Sequence, residues 1–232
     1  MMIEEFLDYL RYERNRSPLT VKNYGDDLRA FYVFFKSLDD HLSWQSVDAD
    51  IVRDWMESMM DKGNNATSVN RRLSALRSFY RFALSRHLVD RDPAHNIEGP
   101  KTNKPLPQFL KESEMNRLLD DMEWGNSFNN VRARTIIIVF YETGIRLSEL
   151  IGLDDVSIDM ETCEIKVTGK GDKQRVVPFG SEMLSALKDY VAVRDSSVIR
   201  NCEAFFVTDK GTRMRPDTVR AEVSRCLSAV ST

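Results

Sequence analysis

Cysteine and histidine are scarce in this chain of 232 residues, with three of each. Cys163, Cys202 and Cys226 stand far apart, so they predict neither a metal pattern nor a paired disulfide framework, and they favour a reducing, cytoplasmic setting. The histidines lack the spacing of a zinc site, and we expect no metal. No apolar run is longer than the six residues Ile136–Tyr141, which excludes a membrane-spanning helix at the level of sequence.

An excess of positive charge is also missing. The formal net charge is −3 at pH 7; residues 1–100 contain 14 Lys and Arg against 16 Asp and Glu, and residues 101–232 contain 19 against 20. A surface that attracts a polyanion must therefore come from the placement of basic residues rather than from their number. Hydrophobic residues make up 42% of the chain, which is enough for a buried core.

The first hundred residues show the periodicity of helices. Ser17 followed by Pro18 is typical of a helix start, and Asp48 opens a later helix in a similar way. Residues 1–97 therefore predict a compact four-helix domain with little or no strand. Apolar spacing places its helices near 2–14, 18–37, 48–62 and 67–87.

Three prolines and two lysines in residues 98–108 predict an extended, semi-rigid linker. The second domain, residues 109–232, starts with helical patterns. The spacing of its apolar residues then changes from helical to alternating. Alternating apolar residues at 164–168 and 175–179 predict a β-hairpin, and the segments 156–158 and 204–208 predict further short strands. With helical patterns again at 181–194 and from 216 onward, the expected fold is α+β with a small antiparallel sheet.

The stretch 63–89 contains five arginines and no acidic residue. A helical wheel places its apolar residues on one side and arginines on the other, interleaved with small polar residues. Small polar residues allow close approach to a phosphate backbone, and Asn or Arg side chains can reach base edges. The alternative is a solvated helix face that happens to lack acids. The candidate DNA-binding residues here are Asn70, Arg71, Arg72, Ser74, Arg77 and Arg81.

Arg146 follows a glycine break in the segment Thr143–Leu150, at the start of a predicted short helix. Such a position presents the guanidinium at a cleft, and Glu149, three residues on, lies on the same helical side and can hold it. A guanidinium fixed in this way suits two phosphate oxygens. By local spacing alone, an ordinary ion pair at a helix start is the simpler interpretation.

Lys170 stands between two glycines at the tip of the predicted hairpin. A lysine at such a tip can insert a point charge into a groove, and the alternative is a solvated turn. The segment is not a P-loop, because it lacks the GxxxxGK[ST] spacing and joins two strands rather than a strand and a helix. We therefore expect no nucleotide hydrolysis.

Together these segments resemble the catalytic domain of the tyrosine recombinases, the phage-integrase and Xer-type family. The family's first box, Thr-Gly-x-Arg-x-x-Glu-Leu, matches Thr143–Leu150, and its hairpin segment, Gly-Lys-Gly-x-Lys-x-Arg-x-x-Pro, matches Gly169–Pro178. The first part of the chain resembles the family's core-binding domain, so the similarity spans nearly the whole sequence in order. The matching positions there are Ser17–Thr20, Tyr24, Asp27, Leu28, Phe31 and Asn70–Tyr80.

The resemblance implies a mainly α fold, with an N-terminal four-helix core-binding domain and an incomplete α+β catalytic domain. It implies site-specific recombination of double-stranded DNA through a 3′-phosphotyrosine intermediate, with no metal or cofactor. Arg146 would clamp the phosphate, Glu149 would hold that arginine, and Lys170 would protonate the leaving 5′-oxygen. Lys173 and Arg175 would touch the DNA backbone. Four protomers on two DNA sites would form the working assembly, with the two domains on opposite faces of each duplex.

The sequence departs from the family's pattern after the hairpin. The family continues with a His-x-x-Arg box, a His or Trp and the nucleophilic tyrosine, but no histidine follows His95 and the only tyrosine beyond Lys170 is Tyr190. Tyr190 stands near Leu187 and Val191 at helical spacing, which indicates a core residue. We therefore expect a recombinase fragment that binds DNA weakly as a monomer and does not cleave it. The alternatives are a non-catalytic DNA-binding accessory protein or decayed recombinase, and a helical protein-interaction module without salt-dependent DNA affinity.

Overall fold

The computed structural model describes residues 2–102, 109–169 and 171–230. The chain folds as two compact units, Met1–Leu106 and Pro107–Thr232. Most of the predicted linker, residues 103–108, lies outside the described residues. Within the described ranges, no helix combines the length and the hydrophobicity that crossing a bilayer would need.

The first unit is helical, as predicted, and the start signals act as N-caps. The Ser17 hydroxyl accepts a hydrogen bond from the Thr20 N–H at 3.3 Å, and Asp48 Oδ1 accepts from the N–H groups of Asp50 and Ile51 at 3.0 Å. A π-helical turn, Tyr9–Glu13, extends the first helix. The helices are α1 (Met2–Asp8), α2 (Pro18–Leu38), α3 (Ala49–Asp61) and α4 (Ala66–Ser85).

Aromatic side chains fill the core of the first unit. Phe6 meets Phe79 edge to face at 5.6 Å between ring centroids, and Trp44 lies 4.5 Å from the Phe79 ring. Since α1, α2 and α3 all pack against α4, that helix is buried over a wide arc. Its buried residues are Val69, Leu73, Ala75, Leu76, Phe79, Tyr80, Phe82 and Ala83.

The second unit combines helices with a small sheet, and the predicted fold class is confirmed. A π-helical turn at Arg117–Asp121 follows its first helix, and a 3₁₀ turn at Asp155–Ser157 precedes its first strand. The helices are α5 (Glu112–Asn116), α6 (Phe128–Thr143), α7 (Leu147–Ile151), α8 (Ser181–Ser197) and α9 (Pro216–Ser228). The strands are β1 (Ile158–Asp159), β2 (Glu164–Thr168) and β3 (Gln174–Pro178).

The three strands form one antiparallel sheet in the order β1-β2-β3, with Ile165 opposite Val177. Ile165 and Val167 face the core, so the alternation in β2 predicted the strand correctly. In the same core, α6 packs against α8. Arg132 of α6 is buried and pairs with Glu222 of α9, which joins these two helices as well.

The structure differs from the prediction at two of the expected strands, 156–158 and 204–208. Val156 lies in the 3₁₀ turn and is 92% exposed, so the first strand begins only at Ile158. Residues 204–208 form isolated bridges rather than a ladder. Their backbone groups have other partners; the Val207 N–H, for example, donates to the Tyr190 hydroxyl at 3.1 Å.

Candidate functional site

The end of α6 and the start of α7 place Arg146. Gly144 ends α6 in the left-handed region at φ 59°, and its N–H donates to the Phe140 carbonyl at 3.0 Å. Arg146 is the N-cap residue of α7, and its own N–H donates to Glu149 Oε2 at 2.7 Å. The Arg146 side chain is 73% exposed. The glycine break therefore presents this guanidinium at the surface of the second unit; that it stands at a cleft stays a prediction.

Glu149 is the buried centre of this cluster. Its side chain is only 1% exposed, and its Oε1 accepts a hydrogen bond from Arg146 Nη1 at 3.1 Å, as predicted from the spacing. Arg175 of β3 also binds both oxygens, from Nη1 to Oε1 at 2.7 Å and from Nη2 to Oε2 at 3.0 Å. Arg175 and, to a smaller extent, Arg146 lower the pKa of Glu149 to about 2 through these hydrogen bonds.

The sequence did not predict the contact between Arg175 and Glu149. The two residues are 26 positions apart, and no local pattern joins them. Arg175, which the family resemblance predicts to touch the DNA backbone, binds Glu149 through both Nη atoms while its side chain stays 43% exposed, and this contact raises the arginine's pKa further. Together the two guanidinium groups and the single carboxylate carry a net positive charge at the surface of the second unit.

The hairpin between β2 and β3 packs closely on Glu149. The Gly169 N–H donates to the Lys173 carbonyl at 2.8 Å, and a Cβ atom at Gly169 would lie 3.1 Å from Glu149 Oε1. Gly171, at φ 75°, provides the left-handed turn that the hairpin needs. Lys173 is exposed, whereas Lys170 lies outside the described residues.

In the first unit, Arg71 and Arg72 of α4 share a second buried carboxylate. Asp27 of α2 is 5% exposed and binds Arg71 in a two-pronged contact at 2.5 and 2.8 Å, while Arg72 Nε lies 3.7 Å from Asp27 Oδ1. Arg71 keeps 46% of its side chain exposed. The signal that could have found this contact is an acidic residue on the apolar stripe of α2, next to Leu28.

The remaining candidates on α4 divide into exposed and engaged side chains. Ser74 and Arg81 are exposed. Asn70 is half-buried and donates to the Pro100 carbonyl at 2.8 Å. Arg77, which the helical wheel placed opposite the apolar side, is half-buried and donates to the carbonyls of Ala94 and Ile97. That placement was wrong because the chain following α4 folds back across this part of the helix.

Tyr190 is a core residue, as its spacing predicted. It is fully buried; its hydroxyl donates to the Phe205 carbonyl at 3.2 Å and accepts from the Val207 N–H. Burial raises the pKa of this phenol to about 12. An inaccessible, protonated hydroxyl is a poor nucleophile toward a phosphodiester.

Comparisons with known proteins identify both units. The model of the phage integrase N-terminal SAM-like domain matches residues 3–87, and that of the phage integrase family matches residues 108–231. The tyrosine recombinase XerC of Chlorobaculum tepidum is 34% identical over 98% of this chain and 75% of its own length. XerC of Escherichia coli O157:H7 is 37% identical over 94% of this chain and 72% of its own length.

A solved structure shows the same fold. The Tn1549 transposon integrase, in complex with a circular intermediate DNA, superposes with a TM-score of 0.73 over 99% of this chain and 78% of the other, at 16% identity. The sequence relatives and the two family models cover both units. The chain therefore belongs to the phage integrase family of tyrosine recombinases.

Proposed function

We propose that these residues bind double-stranded DNA and hold one phosphodiester at Arg146, as the DNA-binding and phosphate-binding part of a site-specific recombinase. The observation that carries the proposal is the state of Arg146, which is fixed by Glu149 through its backbone and one Nη while its side chain stays 73% exposed. Most of its N–H donors are free to meet phosphate oxygens. A cation held in place beforehand stabilises the charge that grows on these oxygens during phosphoryl transfer.

Exposed basic residues on α4 and on the hairpin extend this site as proposed backbone contacts. Arg71, Ser74 and Arg81 are exposed on α4, and Lys173 is exposed on the hairpin. We also keep Asn70 and Arg72, which are half-buried on the same helix, as candidates for closer contacts. Because the net charge is −3, affinity for a polyanion must come from such local groups.

Within this proposal, the residues bind DNA without cutting it. Tyr190 cannot attack a phosphodiester from its buried position, and Lys170 is proposed as the general acid that acts once a nucleophile is supplied. By family resemblance, residues 1–97 and 109–232 are the core-binding and catalytic domains, and four copies assemble on two DNA sites when the nucleophile is present. A non-catalytic accessory protein or a decayed recombinase would show the same binding without cleavage.

Fluorescence anisotropy with a short labelled duplex tests the proposal. We expect Arg146→Ala to weaken binding about tenfold and to reduce the slope of log affinity against log salt by about 1, as for one lost phosphate contact. The matched control is Arg220→Ala, which removes an exposed arginine of α9 that pairs with its helical neighbour Asp217 at 3.0 Å. We expect that control to bind as the unchanged protein does.

Two results would contradict the proposal. Equal affinity and salt slope for Arg146→Ala and the unchanged protein would remove Arg146 from the DNA interface. A covalent protein–DNA adduct on a denaturing gel, after incubation with nicked duplexes of randomised sequence, would show that the chain cleaves DNA after all.

A further inference from the structure

Arg175 links the hairpin to the helix that carries Arg146. Its two Nη atoms bind the two oxygens of Glu149, and Arg146 Nη1 binds Oε1, the oxygen that Arg175 Nη1 also contacts. Two arginines from separate elements, α7 and β3, therefore share one buried carboxylate. Such charge-assisted, two-pronged contacts are the most directional that an arginine makes.

The hairpin backbone gives independent evidence for this link. A Cβ atom at Gly169 would stand 3.1 Å from Glu149 Oε1, so only a residue without a side chain allows the present approach without displacing the carboxylate. The base of the hairpin and the Arg175 side chain thus enclose Glu149 from the same strand pair. The carboxylate is held by the hairpin as well as by its own helix.

The charges of the cluster explain why Arg175 matters to Arg146. With both arginines present, one positive charge is left over after Glu149 is neutralised. Without Arg175, Arg146 would be the only cation among residues 2–102, 109–169 and 171–230 that contacts Glu149, and a buried carboxylate with one partner pairs with it strongly. The Arg146 guanidinium would then be drawn toward Glu149 and away from a phosphate.

We propose that Arg175 is a positioning residue that occupies Glu149 and thereby leaves Arg146 free to bind the DNA phosphate. This role rests on the proposed function, since it acts only through the phosphate contact of Arg146. In this role Arg175 acts through Glu149, which both of its Nη atoms bind, rather than through a phosphate contact of its own. Lys173 lies on the same hairpin and is exposed, and it is the proposed backbone contact there.

A double-mutant cycle on the full chain tests the proposal by DNA anisotropy. We expect Arg146→Ala and Arg175→Ala each to weaken binding about tenfold, and the double variant to be no weaker than either single one. Lys173→Ala removes an independent contact. The fold-losses of DNA affinity caused by Lys173→Ala and by Arg146→Ala should therefore multiply in the double variant. Arg175→Lys keeps the positive charge but lacks the paired Nη donors of the guanidinium. Its DNA affinity should lie between that of the unchanged protein and that of Arg175→Ala.

A rescue experiment distinguishes the positioning role from a purely structural one, because a purely structural role of Arg175 predicts no recovery of DNA affinity. In the Arg175→Ala background, Glu149→Gln removes the charge that captures Arg146, so the double variant Arg175→Ala/Glu149→Gln should recover most of the lost affinity. Circular dichroism melting checks that each variant is folded, and Arg175→Lys with Glu149→Gln repeats the rescue test if Arg175→Ala does not fold.

The outcomes separate the two proposals. If the losses from Arg146→Ala and Arg175→Ala multiply and Glu149→Gln gives no rescue, Arg175 contacts DNA directly and the positioning role is wrong. If the unchanged protein binds no DNA, or Arg146→Ala has no effect, it is the proposed function that fails.

Discussion

At the scale of single residues, each unit buries one carboxylate beneath two arginines. Asp27 holds Arg71 and Arg72 in the first unit, and Glu149 holds Arg146 and Arg175 in the second. A buried charge is costly unless several hydrogen bonds compensate it, so these acids are tolerated only with their arginines in place. In return, they fix the orientation of guanidinium groups that stay partly exposed.

Sequence reasoning found only the local half of this arrangement. Arg146 and Glu149 are three positions apart on one helix, and their contact follows from helical geometry. Asp27 and Arg71 are 44 positions apart, so only the tertiary fold brings them together. The candidate residue types were therefore predictable, but the partner that decides whether an arginine is free or engaged was not.

The pH dependence of stability provides a test at Glu149. Its pKa in the folded protein, about 2, lies below the ordinary value of 4.5. The ionised carboxylate therefore stabilises the fold above about pH 4.5, and this contribution of about 3 kcal/mol is lost as the pH falls from there toward 2. Glu149→Gln lacks the contribution at every pH. We expect the difference in free energy of unfolding between the unchanged protein and Glu149→Gln to be largest near neutral pH and to shrink in acid.

Urea unfolding at a series of pH values measures this difference. Glu161→Gln is the matched control, because Glu161 is an exposed glutamate of the same unit, in the turn between β1 and β2. Its profile shows how much of the difference comes from removing any one negative charge from this unit. A gap between the Glu149→Gln and unchanged profiles that stays constant from neutral pH to pH 3 would show that Glu149 is not a stabilising anion.

At the scale of elements, α4 shows where periodicity succeeds and where it fails. The helix followed from the sequence, but its apolar side is wider than the wheel indicated, because Phe79 and Phe82 are buried as well. A helix surrounded by three others buries more than one stripe. The segment after the helix then covers Arg77, which no pattern within α4 could indicate.

Arg77 and Arg81 should therefore behave differently when replaced by alanine. Arg77→Ala removes two contacts to the carbonyls of Ala94 and Ile97, and we expect it to lower the free energy of unfolding by about 1–3 kcal/mol. Arg81→Ala should leave stability within about 0.5 kcal/mol and weaken DNA binding with a lower salt slope.

Thermal melts and DNA anisotropy on both variants check this division of roles. Arg53→Ala is the matched control, because this exposed arginine of α3 pairs with its helical neighbour Asp50. If Arg81→Ala lowered stability and Arg77→Ala did not, the roles assigned to the two arginines would be wrong.

At the scale of the whole molecule, each unit has a core built from its own residues. The buried members of the hydrophobic cluster around Phe79 lie within residues 6–97. In the second unit, the buried members of the cluster around Ile136 lie within residues 136–219, and those of a smaller cluster around Leu118 lie within residues 115–230. The division into a helical and an α+β part was predictable, because the hydrophobic period changes within the second half of the chain. Packing inside each core depends on side-chain shape and was not predictable from period alone.

Separate cores predict separate responses to core substitutions. Phe79→Ala should lower the stability of the first unit by about 3–5 kcal/mol, and Ile136→Ala that of the second by about 2–5 kcal/mol, because each leaves a cavity. Amide hydrogen exchange should then accelerate in α2 and α4 for Phe79→Ala and in α6 and α8 for Ile136→Ala, with the other unit unchanged. The two variants serve as controls for each other. If either one accelerated exchange equally in both units, the chain would unfold as a single cooperative body, and a substitution in one core could not be used to study DNA binding by the other unit.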